Sequence, residues 1–75
     1  MFTVDIIEHI GTFAKYPNGW TRELNVCSWC GDKPNIDIRD WDGTHEHMSR
    51  GIKLNEEEAR TLYKLLGEYF ESREV

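Results

Sequence analysis

A chain of 75 residues with 39% hydrophobic and 31% charged side chains is one folded domain with no room for a second core. No apolar run approaches the roughly 18 residues of a membrane helix, and MFTVDIIEHI lacks the basic start and small-residue cleavage site of a secretory signal. A cytoplasmic protein without membrane contact is therefore expected, nucleoid-associated if the source is bacterial. The net charge of −5 opposes simple attraction to phosphate.

Phe2 to Phe13 reads as a first strand: Val4, Ile6, Glu8 and Ile10 share one parity and Asp5, Ile7 and His9 the other, with Gly11 allowing a bend or bulge. Ala14 to Gly19 (AKYPNG) reads as a turn, because Pro17 fixes its own φ and Asn18-Gly19 tolerate positive φ. Trp20 to Trp29 is a second strand, with Leu24 and Val26 on one face and Glu23, Asn25, Cys27 and Trp29 on the other. A tight turn at Cys30 to Lys33, built on Gly31-Asp32, leads into a third strand over 34–41. There Ile36 and Ile38 point one way while Asp37, Arg39 and Trp41 point the other. An arginine and an indole beside a carboxylate do not suit a core, so this is read as an open binding face.

Asp42 to Ser49 is a polar loop and Arg50 to Leu54 a short fourth strand. Asn55 is a good N-cap, with Glu58 three residues on completing a capping-box pattern and three glutamates at the positive end of the dipole. The helix is expected from Glu56 to about Ser72. Ala59, Leu62, Tyr63, Leu65, Leu66, Tyr69 and Phe70 form an apolar stripe wider than one small sheet needs. The surplus suggests a homodimer, and a short chain that buries only about 60% of its unfolded surface gains from one.

Cys27-Ser-Trp-Cys30 is half of a zinc motif, and His45 and His47 are the available partners, but H-x-H is tighter than the usual ligand spacing. As a redox pair the cysteines lack a helix N-terminus to lower a thiol pKa. Asp37, Asp40, Asp42 and Glu46 have Arg39, Arg50 and Lys53 as nearby partners, and no nucleophile–base pairing or glycine-rich phosphate loop is present. Neither catalysis nor a cofactor or metal is expected. The aromatic–basic set is more informative. Trp20, Trp29 and Trp41 stand at strand ends, interleaved with Lys15, Arg22, Lys33, Arg39, Arg50 and Lys53. Indoles stack on unpaired bases while the cations follow phosphates. Residues 1–54 hold six Lys/Arg against eight Asp/Glu and residues 55–75 three against six, so half or more of the excess negative charge lies towards the helix.

Ile36-Asp37-Ile38-Arg39-Asp40-Trp41, a loop, and then Arg50-Gly51-Ile52-Lys53-Leu54-Asn55-Glu56-Glu57-Glu58 resemble the single-stranded-DNA-binding domain of the transcriptional coactivator positive cofactor four. Gly19-Trp20-Thr21-Arg22-Glu23-Leu24-Asn25 with Ser28-Trp29 is similar to its bacterial YdbC-like branch. The resemblance implies a curved four-stranded antiparallel sheet followed by one helix (ββββα), a homodimer joined through that helix, and no catalytic activity. It implies binding of single-stranded or melted DNA with little sequence preference. A role in transcription regulation, replication or repair is expected, with RNA as the other candidate strand. By position the resemblance implies stacking by Trp29 and Trp41, a basic turn residue at Lys33, phosphate contact by Arg39, and basic contacts at Arg50 and Arg22. Trp20 stands where eukaryotic members carry a basic residue, which trades charge for stacking. Two other readings stand beside this one: a protein-interaction module using the same groove, and a small zinc-stabilised module on Cys27, Cys30, His45 and His47.

Overall fold

The computed structural model describes residues 3–73. Strands β1 (Val4–Lys15), β2 (Thr21–Trp29), β3 (Asn35–Trp41) and β4 (Ile52–Leu54) precede helix α1 (Glu56–Glu71). The strands pair antiparallel in the order β1-β2-β3-β4, so the architecture is the ββββα arrangement expected from the sequence.

Turn chemistry explains both hairpins. Between β1 and β2, the Gly19 N–H donates to the Tyr16 carbonyl at 3.0 Å and the Trp20 N–H to Asn18 Oδ1 at 3.0 Å, with Gly19 at φ 90°. Between β2 and β3, Cys30 (φ 51°) and Gly31 (φ 77°) are the central pair, and the Asp32 N–H closes the turn on the Trp29 carbonyl at 2.9 Å. Positive φ at both positions is the hairpin turn whose twist suits the strands it joins. The turn therefore centres on Cys30-Gly31, one residue earlier than Gly31-Asp32.

The first strand departs most from simple alternation. It continues through Ala14 and Lys15, which the sequence had placed in the turn, and its register against β2 shifts between Ile6 and Glu8, His9 and Gly11, and Thr12 and Ala14. Each shift inserts an extra residue, at Ile7, Ile10 and Phe13. Bulges bend a strand and increase its twist, and three in succession curl the edge of the sheet. β4 is shorter than expected, at Ile52–Leu54, although an isolated bridge between Trp41 and Met48 extends the pairing of β3. Gly51 lies so close to β3 that a Cβ there would collide with the Ile38 carbonyl oxygen and Arg39 Cβ. Only glycine permits that approach.

Curvature decides which face is interior. Glu23 opposes Arg39 and Asn25 opposes Asp37 on one face, while Leu24 opposes Ile38 and Val26 opposes Ile36 on the other. Among the described residues the largest fully buried side chains are Trp41, Asn25, Asp37 and Cys27, with Glu23 at 5% exposure. All belong to the first face, which the sequence reading took to be open. In an extended strand Arg39 and Trp29 would be about 20 Å apart along the sheet, since six residues separate Trp29 from Arg39's partner Glu23. Instead the Arg39 guanidinium carbon lies 4.5 Å from the Trp29 ring centroid. The polar face is concave, and its side chains close on one another.

The apolar face meets α1 only loosely. The helix is capped as expected: the Glu58 N–H donates to Asn55 Oδ1 at 2.8 Å, and the Asn55 N–H donates to Glu58 Oε1 at 2.9 Å. Yet no helix residue is buried. Leu62, Leu65, Leu66, Tyr69 and Phe70 are exposed and, with Ile10, Phe13, Leu24 and Ile38, leave a broad apolar surface and an open groove of about 560 Å³.

Candidate nucleic-acid interface

The concave face carries two clusters. The first is built on Trp29, at the end of β2. Its ring has the Arg39 guanidinium 4.5 Å and the Lys53 ammonium 5.3 Å from its centroid. Arg39 comes from β3 and is nine-tenths buried. Its Nε donates to Asp37 Oδ1 at 2.6 Å, and its Nη1 reaches the Ser49 carbonyl at 3.4 Å. Lys53 faces Asp37 across the β3–β4 register and is exposed. Cations over an indole face are held by its quadrupole, most strongly where water is excluded. Trp29 itself is 9% exposed.

The second cluster lies at the other end of β3, where Trp41 is 1% exposed. The His45 ring stacks on it with centroids 5.5 Å apart and planes 27° from parallel. His45 Nε2 lies 2.8 Å from Glu23 Oε2. Glu23 also accepts from Thr21 Oγ1 at 2.6 Å and Asn25 Nδ2 at 3.1 Å, and His9 Nδ1 stands 3.5 Å from its other oxygen. Burial pushes the Glu23 carboxyl up, but hydrogen bonds from Thr21, Asn25 and His45 outweigh it and hold the group below the ordinary carboxylate range. An ionised carboxylate only accepts, so His45 Nε2 carries the proton of this hydrogen bond.

The remaining expected residues divide by face and exposure. Lys15 ends β1 opposite Thr21 and is exposed, as are Lys33 after the β2–β3 turn and Arg50 before β4. Trp20 is half-buried at the β1–β2 turn. Arg22 lies with Leu24 and Ile38 on the opposite face, where its Nε donates to Asp40 Oδ1 at 2.9 Å and its guanidinium approaches the Tyr16 ring. Trp29, Arg39 and Lys53 are thus brought together, Trp41 is shut beneath His45, and Arg22 is set apart. Sequence reasoning considered His45 only as a metal ligand and missed Glu23, Asn25 and His9, because a buried polar network needs the curvature before it can be seen.

The cysteines do not converge with the histidines. Cys27 is buried, and burial, with the charge of Asp37 adding to it, pushes its thiol up to about 11; Cys30 is exposed. His45 is engaged with Glu23 and His47 with Asp42. Among the described residues no group of three or more His, Cys, Asp or Glu side chains is placed to hold a metal ion. No helix among them is long and apolar enough to cross a membrane.

The site is thus a concave face of an open sheet with one trailing helix, on which Trp29 is layered against Arg39 and Lys53 and Trp41 against His45. The chain belongs to the PC4 family: the family model described as Transcriptional Coactivator p15 (PC4) matches residues 16–65. It is also 34% identical over 65 residues to an uncharacterized protein of Treponema pallidum (strain Nichols), an alignment covering 87% of this chain and 76% of the relative. Membership of this family is consistent with nucleic-acid binding.

Proposed function

We propose that this protein binds single-stranded DNA on the concave face of its sheet, largely without regard to sequence and without catalysing a reaction, as a homodimer. The observation that carries the reading is the layered array of Trp29, Arg39 and Lys53. Arg39 is fixed by Asp37, whereas Lys53 is exposed. When Lys53 leaves the indole to follow a phosphate, an unpaired base takes its place against the ring. Duplex DNA hides its base faces within the stack and gains nothing from such a platform. Lys15, Lys33 and Arg50 supply further phosphate contacts and Trp20 a peripheral stacking surface. Arg22, on the other face and paired with Asp40, contributes least. The net charge of −5 makes stacking a larger share of the affinity than in a basic protein.

Tryptophan fluorescence during titration with oligo-dT of about 20 nucleotides, a length that spans more than one typical site, tests the reading. Quenching is expected with the single strand and much less with the matching duplex. The salt slope counts ion pairs at about 0.7 each. Trp29→Ala, in a protein that still melts cooperatively, should lose about 1–3 kcal/mol of single-strand affinity. No quenching at low salt, or equal quenching by the duplex, would overturn it.

A further inference from the structure

Trp41 is closed off: at 1% exposure its ring offers no face to a ligand, and what covers it is His45. That histidine is held in three ways. Its backbone adopts φ 61°, a left-handed conformation that histidine tolerates better than most side chains. Its ring edge is tied to the buried Glu23 carboxylate at 2.8 Å, and one ring face lies on Trp41. The loop beneath it is tied down as well. The Asp42 carboxylate accepts the Glu46 and His47 N–H groups, the Thr44 hydroxyl and a His47 ring nitrogen, while the His45 N–H donates to the Asp42 carbonyl. With its side chain 42% exposed, His45 keeps its other ring face turned outward on a rigid support.

We infer that His45 is the nucleobase-stacking residue at this end of the concave face, with Trp41 as the layer beneath it and Glu23 fixing the ring. The inference rests on the single-strand reading above and assigns to the site a residue outside the tryptophan and basic set. Histidine is among the side chains on which unpaired bases stack, and a preset ring loses little freedom when a base arrives.

Two variants separate ring from hydrogen bond: His45→Gln keeps a donor for Glu23 but has no ring, and His45→Phe keeps a ring without the donor. Affinity for labelled oligo-dT is read by fluorescence anisotropy, with a thermal melt of each variant. His45→Gln should bind roughly tenfold more weakly than wild type. His45→Phe should stay within about threefold of wild type. Binding by His45→Gln as tight as wild type, or by His45→Phe as weak as His45→Gln, would overturn the stacking role. A wild-type protein that ignores the oligonucleotide would instead remove the single-strand reading itself, and this assignment with it.

Discussion

Arg39 and Arg22 are both arginines of a strand paired with an aspartate, and they should behave very differently. Arg39 bonds Asp37 at 2.6 Å with side-chain exposures of 10% and 0%, whereas Arg22 bonds Asp40 at 2.9 Å with exposures of 52% and 22%. Among the described residues, Asp37 Oδ2 has no hydrogen-bond partner of its own, so this carboxylate depends heavily on Arg39. Removing one member of a buried pair leaves an uncompensated charge, at a cost of about 3–5 kcal/mol, whereas exposed pairs contribute about 0–1 kcal/mol. Urea denaturation should therefore show Arg39→Ala destabilised by about 3–5 kcal/mol, partly recovered by adding Asp37→Asn, and Arg22→Ala by less than about 1 kcal/mol. Equal small losses would mean that Asp37 is solvated and the concave face more open than described. Strand alternation alone placed Asp37, Arg39 and Trp41 on one face, and correctly. It could not show that the face is closed, because the curl originates in β1 while these residues stand on β3.

Loop 42–49 is an element organised by one carboxylate. Asp42 accepts from the Glu46 and His47 amides and from Thr44, and its Oδ2 lies 2.9 Å from His47 Nδ1. The hydrogen bond from His47 is the main cause that lowers its carboxyl pKa to about 2. A folded-state pKa below the unfolded value means that the ionised form stabilises the loop. That contribution is fully present above about pH 4, where an unfolded aspartate is ionised, and is lost as pH falls towards about 2. The protection of the Glu46 and His47 amides, measured against the intrinsic exchange rate at each pH, should fall over this interval, and Asp42→Asn should already be less protected near neutral pH. Protection that stays flat down to about pH 2 would show that the loop is held by something else. How much of each element could be read in advance follows the range of its determinants. Asn55 and Glu58 specify the helix start through contacts three residues apart, and Cys30-Gly31-Asp32 lies within the turn it forms. The bulges of β1 appear only as Ile7, Ile10 and Phe13 at a spacing of three, which a search for alternation divides between two parities. The third and fourth strands were legible for their isoleucines and for Gly51, although the need for glycine there depends on β3 passing beside it.

At the scale of the whole molecule, the chain is spread wider than its length requires. Its radius of gyration is 14.1 Å, against about 11 Å for a compact domain of this size. The helix is 16 residues long with no residue buried, and isolated helices of this length are marginal in water. Leu62, Leu65, Leu66, Tyr69 and Phe70 are each at least 37% exposed. Leu62, Leu66 and Phe70 line one open groove with Ile10 and Phe13, and apolar side chains gathered in the open mark an interaction surface. A second copy related by a twofold axis is the simplest cover, because the same stripe then serves both partners and the interface closes on itself. Light scattering should give twice the 8.9 kDa chain mass at micromolar concentration, with a melting temperature that rises with protein concentration. Leu66→Lys places a charge in the groove on both copies and forfeits about 1.5–3 kcal/mol of burial in each. It should yield monomers that melt lower and no longer respond to concentration. If the unmodified protein is a monomer with a concentration-independent melt, the helix is stable without cover and the pairing is wrong. If it is a dimer that Leu66→Lys leaves intact, the copies meet elsewhere, and the exposed edge of β1 becomes the surface to mutate next.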